Sequence, residues 1–453
     1  MWSAEFLAKS CYAQMSGQSR SFGSISIDTR TIQAGALYVA LHGENFDGHR
    51  FVAQAIAAGA SGVLVSDAVT VPDDVTVLRV ADTLLALQLM GHAARNQFAG
   101  PLIAVTGSNG KTTTRQLIAS VLRAHFGDAA VLSTEGNFNN HIGLPLTLLR
   151  LSQQHRVAVV EMGMNHFHEL SLLTSLARPS IAVVTNAGPA HLEGVGSLAG
   201  VALAKAEIFQ GMGKADTAVL NADDYFLPYW EVCNRERPSV RFGLGEQADV
   251  RGEYDARTAT LTVARGVSVP FVARLPFAGE HNARNALAAV SVAHLLDVSA
   301  ENMKRGLESA TNVGGRLSRR EINDELRVID DSYNANPSSV RAALQVLLNE
   351  SRRKILVLGD MAELGHESDA LHKALLRDIE QSTVECVISL GPRTRRAALS
   401  LNGRTRAFDD IEALVAFLAT ELKGPTTVLV KGAHSMAMHR VIDRLIAIFE
   451  SKK

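Results

Sequence analysis

The spacing of hydrophobic residues changes character along the chain. In its first part, short apolar segments are separated by polar turns, which predicts a small domain of strands and helices. The strands are predicted at residues 24–28, 36–41 and 62–65, and the helices at residues 51–58 and 81–96. In the second helix we expect an apolar stripe formed by Leu84, Leu85, Leu87 and Leu89.

Longer apolar strands follow Gly100-Pro101, where the first pattern ends. Continuous apolar strands that alternate with helices are typical of a parallel sheet covered on both faces. The strands are predicted at residues 102–106, 157–160 and 181–185, with a helix at residues 111–124. Two alternating segments, at residues 258–263 and 267–272, predict an antiparallel appendage.

After Gly314-Gly315 the alternation of strands and helices begins again, which predicts a second, smaller α/β domain. Its strands are predicted at residues 327–330, 354–358, 386–390 and 427–430. A chain of 453 residues is long enough for about three domains. We therefore predict an α/β protein with domains at residues 1–98, 99–313 and 314–453.

Charge and cysteine content exclude several classes of protein. The chain has 45 Lys and Arg against 46 Asp and Glu, a net charge of −1, whereas binding to nucleic acid or an anionic membrane surface favours a basic excess. The three cysteines, Cys11, Cys233 and Cys386, are far apart and predict buried thiols in a reducing compartment. No signal peptide or membrane-spanning apolar run is recognisable. We expect a cytoplasmic monomer without nucleic-acid or membrane partners.

The strongest local motif lies between the strand at residues 102–106 and the helix that begins at Lys111. Glycines there allow backbone N–H groups to face a phosphate at a helix N-terminus, the lysine would reach the β and γ phosphates, and a threonine hydroxyl would coordinate Mg²⁺. The spacing departs from the common phosphate loop, and an ordinary glycine-rich turn is the alternative. The candidate phosphate-binding residues are Gly107, Ser108, Asn109, Gly110, Lys111, Thr112 and Thr113.

Two further candidates follow neighbouring strands of the same predicted sheet. Glu161 ends the strand at residues 157–160, where a carboxylate can bind Mg²⁺ directly or through water. His191 follows the next strand and offers a second metal position. The alternatives are a capping or surface glutamate and a structural loop histidine.

Several motifs together, in this order along the chain, resemble the Mur ligase family. The motifs are residues 106–113, 161–163, 185–197, Lys205, 279–286, 315–316 and 331–337. Members of this family are ATP-dependent ligases that form amide bonds in peptidoglycan synthesis. The resemblance covers nearly the whole chain, and it implies a central domain like that of P-loop ATPases and a Rossmann-like C-terminal domain.

The resemblance assigns roles around ATP and Mg²⁺. Lys111 and Thr112 would bind the ATP phosphates and, with Glu161, the first Mg²⁺. His191 would belong to a second metal site, as would Lys205 if it is carbamylated; a solvated helix lysine is the alternative reading of Lys205. In the remaining roles, His281 and Asn282 would lie near the adenine, Arg316 would approach the phosphates, and Asp331, with Asp330 as its rival, would bind the ribose.

The N-terminal domain resembles the uridine-nucleotide-binding domain of the later-acting family members. The matching residues are Ser26, Asp28, Thr29, Arg30, Gly43, Phe46, Asp47 and Gly48, and Arg30 could meet the diphosphate. A strand that leads into a surface turn is the alternative for residues 26–30. Residues 136–143, with Asn137, Asn139 and Asn140, resemble a substrate loop; an Asn-rich turn is the alternative.

Residues 358–365 resemble the branch of the family that joins D-alanyl-D-alanine to UDP-N-acetylmuramoyl-tripeptide. These two substrates are therefore the expected partners, with an acyl phosphate as intermediate. A tripeptide-forming ligase and a non-enzymatic, ATP-driven switch are the competing hypotheses. We also expect the third domain to close on ATP binding with Gly314-Gly315 as the hinge, because an acyl phosphate must be shielded from water. Lys431 is either a substrate contact or a surface lysine.

Overall fold

The computed structural model describes residues 1–43, 46–311, 314–401 and 403–450. Its strands form a five-stranded, a nine-stranded and a six-stranded sheet in succession along the chain, together with one pair of short strands. The predicted α/β class with three successive units is confirmed. The boundary predicted at residue 313 lies outside the described residues, and the exact domain limits stay predictions. Within the described ranges, no helix has both the length and the apolar character needed to cross a bilayer.

The N-terminal unit contains the five-stranded sheet, in the order β2-β7-β6-β5-β4. All neighbouring strands of this sheet are parallel except β2 and β7. The strands are β1 (Trp2–Ser3), β2 (Gln14–Ser16), β3 (Ser21–Phe22), β4 (Ile25–Ser26), β5 (Ala36–Val39), β6 (Ala60–Val65) and β7 (Thr76–Arg79). The helices are α1 (Ala4–Ser10), α2 (Val52–Ala57) and α3 (Thr83–Gln97).

The apolar stripe predicted for α3 is wrong at Leu85, which is 52% exposed. The buried face of this helix instead carries Leu87, Met90 and Ala94, which follow one another at spacings of three and four residues. This is the spacing that keeps side chains on one face of a helix. Asp82 caps the helix N-terminus by accepting hydrogen bonds from two backbone amides, which fixes where the helix begins.

The middle unit is built around the nine-stranded sheet, in the order β16-β15-β14-β13-β12-β11-β8-β10-β9. The strands are β8 (Leu102–Thr106), β9 (Val131–Ser133), β10 (Val157–Glu161), β11 (Ile181–Val184), β12 (Thr217–Asn221), β13 (Ser239–Gly243), β14 (Val250–Asp255), β15 (Thr260–Arg265) and β16 (Phe271–Arg274). The helices are α4 (Lys111–Phe126), α5 (Gly143–Leu148), α6 (Glu169–Ala177), α7 (Leu192–Val195), α8 (Leu198–Ala206), α9 (Leu227–Asn234), α10 (Glu280–Leu295) and α11 (Ala300–Glu308).

Strand β8 lies inside this sheet, with β10 on one side and β11 on the other, and both pairings are parallel. Its residues alternate between two buried clusters: Ile103 and Val105 pack towards α4, α10 and α11, and Leu102 and Ala104 pack towards α6 and α8. The central strand is thus apolar from Leu102 to Val105 and ends at the buried Thr106, as expected for a strand covered on both faces. The predicted pair of antiparallel strands is confirmed as β15 and β16, although β16 begins later than predicted. Together with β14, which was not predicted, they extend this sheet and do not form a separate one.

The C-terminal unit contains the six-stranded sheet, in the order β17-β18-β22-β19-β20-β21, which is parallel apart from β17. The strands are β17 (Ser318–Glu321), β18 (Leu326–Asp331), β19 (Arg353–Gly359), β20 (Cys386–Leu390), β21 (Arg406–Phe408) and β22 (Thr426–Lys431). The helices are α12 (Pro337–Leu348), α13 (Ser368–Glu380), α14 (Pro392–Leu401), α15 (Ile411–Glu421) and α16 (His439–Glu450).

Helix α11 approaches α4 closely at one glycine. Gly306 lies against the backbone of α4, where a Cβ atom would collide with Cα of Val121, and Ser120 Oγ donates to the Gly306 carbonyl at 2.7 Å. Since α4 begins at the phosphate loop, this contact supports the helix that positions the candidate site. The absence of a side chain at this position is a packing requirement.

We expect Gly306→Ala to destabilise the protein, although alanine favours a helix over glycine by about 1 kcal/mol. Overpacking costs about 1–3 kcal/mol, and here the added methyl group would meet backbone atoms that cannot move aside, so we expect a net loss of stability of about 1–2 kcal/mol. Calorimetric unfolding would measure it, with Lys304→Ala on the exposed face of the same helix as the matched control. A variant that melts at or above the wild-type temperature would show that the helices separate at no cost.

Candidate active site

One cleft of about 640 Å³ lies where the carboxyl ends of β8, β10 and β11 face those of β18 and β22. In open α/β sheets ligands bind at this end of the strands. The cleft brings together most of the residues predicted for ATP and metal binding, as well as the Asn-rich loop. The predicted residues that line it are Ser108, Asn109, Gly110, Lys111, Thr112, Thr113, Asn137, Asn139, Asn140, Glu161, His191, His281, Asn282, Arg316 and Asp331.

The loop between β8 and α4 is shaped by two glycines. Gly107 has a φ of 151°, and a Cβ atom there would collide with Oγ1 of Thr185. Gly110 has a φ of 80°, and a Cβ atom there would lie 2.5 Å from Oδ1 of Asn285. Both positions require glycine for its conformation and for close approach, as a loop that wraps a phosphate with its backbone does. The ordinary glycine-rich turn does not account for these contacts.

The loop is held by the residues that follow β11. The backbone amide of Ser108 donates to the carbonyl of Asn186 at 2.9 Å, and the amide of Asn109 donates to Oδ1 of the same asparagine at 2.9 Å. Thr185 Oγ1 donates to the Asn109 carbonyl at 2.6 Å. These hydrogen bonds fix the loop before any ligand arrives, so binding has little ordering cost.

Lys111 folds back over the same loop. Its Nζ donates to the carbonyl of Gly107 at 2.7 Å and lies 3.4 Å from that of Ser108. Burial lowers the pKa of Lys111, and the nearby Glu161 carboxylate opposes that effect. The ammonium group therefore lies where a phosphate cradled by the loop would meet it.

Glu161 is only 2% exposed, and several polar side chains contact its carboxylate. Its Oε2 accepts a hydrogen bond from Thr112 Oγ1 at 2.8 Å, and its Oε1 accepts one from Asn139 Nδ2 at 2.8 Å. The guanidinium Nε of Arg115 lies 3.6 Å from Oε2. The alternative of a capping or surface glutamate is therefore wrong. A hydroxyl and a carboxylate side by side are hard oxygen ligands, so this pair fits Mg²⁺.

His191 and Glu363 meet across the cleft, one from the middle unit and one from the C-terminal unit. His191 Nδ1 lies 2.6 Å from Glu363 Oε2, and both residues have positive φ values, 57° and 60°. Burial lowers the pKa of His191, while Glu363 acts in the opposite direction. Sequence reasoning gave Glu363 no role, although it lies in the segment 358–365 that carried the resemblance to one branch of the family.

Lys205 on α8 does not line the cleft, but the alternative of a solvated lysine is wrong because it is 1% exposed. Burial lowers its pKa well below the usual value, and the positive charge of Lys111 adds to the effect. Within the described residues, no carboxylate lies within 4 Å of its Nζ. The amine is therefore held in a setting that favours the uncharged form.

Arg316 and Tyr333 form the wall contributed by the C-terminal unit. The guanidinium carbon of Arg316 lies 4.1 Å from the centre of the Tyr333 ring, a cation–π contact. The Nε of Arg316 is buried and donates to no described atom. The side chain is thus oriented by stacking, with hydrogen-bonding capacity left for a ligand.

Asp331 and Lys431 form a buried pair on the same wall, with Nζ 2.5 Å from Oδ2. Asp331 Oδ1 accepts from the Leu317 amide at 3.1 Å, and burial raises the pKa of its carboxyl group although Lys431 opposes this. Lys431 is 2% exposed, so the surface-lysine alternative is wrong. The rival Asp330 bonds Ser332 and pairs with Arg320 outside the cleft lining.

The phosphate loop is also linked directly to α12. Asn336 Nδ2 donates to Asn109 Oδ1 at 2.7 Å, and Asn109 Nδ2 donates to Ser338 Oγ at 2.9 Å. A third polar contact between the units runs from the Glu193 amide to the Glu363 carbonyl at 3.3 Å. Sequence reasoning missed the Asn336 and Ser338 contacts, since no local pattern indicates which side chains more than two hundred residues apart will meet.

His281 and Asn282 lie in the first turn of helix α10, at the side of the cleft. Burial lowers the pKa of His281 to about 4, aided by the charges of Lys431 and Arg284, so its imidazole is neutral at physiological pH. Asn282 donates through Nδ2 to the Ala278 carbonyl at 2.8 Å and accepts from Asn285 through Oδ1 at 3.1 Å. The neutral imidazole of His281, beside the hydrogen-bonded side-chain amide of Asn282, suits a ligand group that is uncharged and planar.

The residues predicted to bind a uridine nucleotide lie in the N-terminal unit and do not line the cleft. Arg30 and Asp28 form an ion pair of 2.7 Å, and this arginine lowers the pKa of Asp28 to about 2. Ser26 Oγ donates to the Asp28 carbonyl at 3.1 Å. Thr29, Gly43, Phe46, Asp47 and Gly48 are all described, and Phe46 is 59% exposed. Residues 44 and 45, within the same motif, lie outside the described residues.

Three family models match successive parts of the chain. Residues 21–95 match the Mur ligase family, catalytic domain; residues 105–293 match the Mur ligase middle domain; and residues 315–434 match the Mur ligase, glutamate ligase domain. The three matches follow the order of the three sheets.

Individual relatives match over nearly the full length. A UDP-N-acetylmuramoyl-tripeptide–D-alanyl-D-alanine ligase from Haemophilus influenzae is 37% identical and covers 93% of this chain and 93% of its own. MurF from Acinetobacter baumannii is 34% identical, with a TM-score of 0.91 and coverage of 98% of this chain and 99% of that one. The MurF ligase from Thermotoga maritima, solved in complex with ADP, is 25% identical, with a TM-score of 0.82 and coverage of 95% and 98%.

The contact between His191 and Glu363 leads to a prediction about protonation. Because the Glu363 carboxylate raises the pKa of His191 against the effect of burial, Glu363→Gln should lower that pKa further. The imidazole of the variant should therefore stay neutral to a lower pH than in the wild type. Titration of the histidine ring signals by NMR would measure the shift, with Glu367→Gln, an exposed glutamate four residues further along the chain, as a control. An unchanged or raised pKa would mean that the two side chains do not meet in solution.

Proposed function

The chain belongs to the Mur ligase family, and on that premise we propose that it joins UDP-N-acetylmuramoyl-tripeptide to D-alanyl-D-alanine, with ATP converted to ADP and phosphate. The single observation that carries the proposal is the cleft, in which a phosphate loop of the middle unit faces Glu363, from the segment typical of this branch. Relatives that cover nearly all of the chain bear the same activity in their names.

The first chemical step brings two anions together. The terminal carboxylate of the tripeptide attacks the γ-phosphorus of ATP, a P–O bond forms, and ADP leaves with the electrons of the broken bond. Two unit charges about 4 Å apart repel by about 1 kcal/mol in water and by about 4 kcal/mol at the effective dielectric near a protein surface. Lys111 and Arg316 supply the compensating positive charge from opposite walls of the cleft.

Thr112 and Glu161 would hold Mg²⁺, since their oxygens lie 2.8 Å apart at the end of the phosphate loop. When bound, the ion would neutralise part of the charge of the ATP phosphates. His191 is the candidate for a second metal position, and its Nδ1 lies against the Glu363 carboxylate. Asn139 orients Glu161 through a hydrogen bond of 2.8 Å, so the Asn-rich loop contributes to the same set.

In the second step the amine of D-alanyl-D-alanine attacks the acyl phosphate, a tetrahedral intermediate forms, and phosphate leaves as the amide bond is completed. The acyl phosphate would hydrolyse in water, so the cleft has to exclude it. The polar contacts of Asn109 with Asn336 and Ser338 keep the two units together around the reacting groups. Closure about Gly314-Gly315 on ATP binding stays a prediction.

The remaining roles are those that the family resemblance implies. We assign the adenine to His281 and Asn282, the ribose hydroxyls to Asp331, and the uridine nucleotide to the N-terminal residues around Arg30. The pairing with Lys431 supports the role of Asp331, because it keeps a buried carboxylate available as an acceptor. A cytoplasmic location and a monomeric state stay predictions.

We expect wild-type protein to convert UDP-N-acetylmuramoyl-tripeptide, D-alanyl-D-alanine, ATP and Mg²⁺ into the pentapeptide nucleotide, detected by mass spectrometry. Lys111→Ala should reduce the rate by about a hundredfold or more, because it removes a positioned cation at the reacting phosphate. Lys304→Ala, which removes an exposed lysine on α11, should leave the rate unchanged. Release of ADP without formation of the pentapeptide nucleotide would contradict the proposal and favour an ATP-driven switch.

The same assay separates the proposal from the tripeptide-forming ligase. That enzyme would use the dipeptide nucleotide and a free amino acid, and it would leave D-alanyl-D-alanine unchanged. Offering both substrate pairs in one mixture lets the mass of the product decide.

We also propose that Lys205 carries a carbamate. Its neutral amine would add to CO₂, forming an N–C bond and releasing one proton, and the product is an anionic oxygen ligand of the kind that a metal site uses. Two observations support this: the burial of Lys205 without a carboxylate partner, and the lowered pKa that leaves the amine uncharged.

Incubation with ¹³C-bicarbonate should give a carbamate signal in the NMR spectrum of the wild type and none in Lys205→Met. Lys431 is an internal control, because it is equally buried but its Nζ is bound to the Asp331 carboxylate. The signal should therefore persist in Lys431→Met. A signal that survives Lys205→Met, or is missing from the wild type, would refute the modification.

A further inference from the structure

A second cavity of about 400 Å³ lies beside β9, at the edge of the nine-stranded sheet. Helix α4, strand β9 and the segments around residues 134–136 and 150–155 enclose it. Gly136, the first residue of the candidate substrate loop, lines this cavity, whereas Asn137, Asn139 and Asn140 line the cleft. No described residue lines both, so the cavity is separate from the cleft.

The cavity is rich in positive charge. Arg115, Arg123 and Arg150 line it, and Glu135 is the one carboxylate among its described lining residues. Glu135 is bound to Arg150, with a distance of 2.6 Å between Oε1 and Nη2. Arg115 lies 3.6 Å from Glu161, a carboxylate outside this lining, and Arg123 has no carboxylate within 4 Å among the described residues. One guanidinium group therefore remains in excess of the carboxylates.

Arg115 is the best-fixed group in this cavity, because it is only 5% exposed. Its Nη1 donates to Ser133 Oγ of β9 at 3.0 Å, so the edge strand orients the guanidinium. Its Nε is buried and makes no hydrogen bond to a described atom, although it lies 3.6 Å from Glu161 Oε2. Such a side chain retains unused donors for a further acceptor.

The like charges act on one another across the cavity. The pKa of His155 is lowered by burial and then by the charge of Arg150. An anion between these groups would relieve the repulsion and satisfy the free donors.

We propose that this cavity binds a small, multiply charged anion of the phosphate class, at a site distinct from the nucleotide cleft. A phosphate group carries up to two negative charges and several acceptor oxygens, which match an arginine cluster better than a single carboxylate does. Arg115 lies between the two sites, because it lines this cavity and its Nε approaches Glu161 of the nucleotide cleft.

Calorimetric titration with inorganic phosphate tests the site in protein whose phosphate loop is first filled with Mg²⁺ and a non-hydrolysable ATP analogue. The wild type should bind one phosphate, and the double variant Arg123→Gln/Arg150→Gln should bind it at least about tenfold more weakly. Arg115 is left unchanged because it contacts Glu161. Arg257→Gln is the matched control, since this exposed arginine follows β14 towards the opposite edge of the sheet.

Unchanged melting temperature and unchanged binding of the ATP analogue would show that the variants are folded. Equal phosphate affinity in the wild type and the double variant, or no binding at 10 mM phosphate (about the millimolar limit of a weak specific site), would overturn the proposal. A parallel titration with succinate tests the chemical class. Succinate that binds as tightly as phosphate would show a carboxylate site in place of a phosphate site.

Discussion

The buried carboxylate of Glu161 is the group on which the candidate site depends. A charge that is 2% exposed is costly unless its neighbours compensate it, and here a hydroxyl, an amide and a guanidinium do so. These neighbours come from the start of α4, from the Asn-rich loop and from the middle of α4. One carboxylate therefore fixes the phosphate loop, the candidate substrate loop and Arg115 relative to β10.

The middle and C-terminal units meet through polar contacts at the cleft and through apolar ones such as Leu371 of α13, which packs against buried side chains of the middle unit. The polar contacts across the cleft include the hydrogen bonds of Asn109 and the approach of His191 to Glu363. Polar contacts exchange readily with water, whereas an apolar interface would resist separation. This arrangement suits an enzyme that must admit three substrates and still exclude water during the reaction.

The sequence indicated those parts of the structure that depend on local pattern. The apolar run of β8, the glycines at 107 and 110 and the alternation of β15 are visible in single segments, and the structure contains each of them. Leu85 was predicted wrongly because hydrophobicity alone does not reveal which face of α3 meets the sheet. Very short strands such as β3 carry too few residues for a periodic signal.

The candidate site was less predictable because half of it depends on pairs distant in the chain. Lys431 is indistinguishable from a surface lysine in the sequence, and only its contact with Asp331, one hundred residues away, explains its burial. Glu363 was visible as part of a family motif, but its partner His191 belongs to another unit. The basic cavity beside β9 was not predicted at all, since Arg115 and Arg123 lie on α4 and Arg150 lies in a loop that follows α5.

Three lysine side chains, two buried and one half-buried, show how environment, more than residue type, sets the chemistry of an amine. Lys431 donates to the Asp331 carboxylate, whereas Lys111 donates to backbone carbonyl oxygens that a phosphate would replace as partners. Lys205 has no described carboxylate within reach, and burial favours its neutral form. Each of these lysines counts as one positive charge in the sequence. The net charge of −1 therefore conceals the distribution of charge on which the reaction depends. The positive charge needed to bring two anions together is local, and the fold places it at the ends of a few strands.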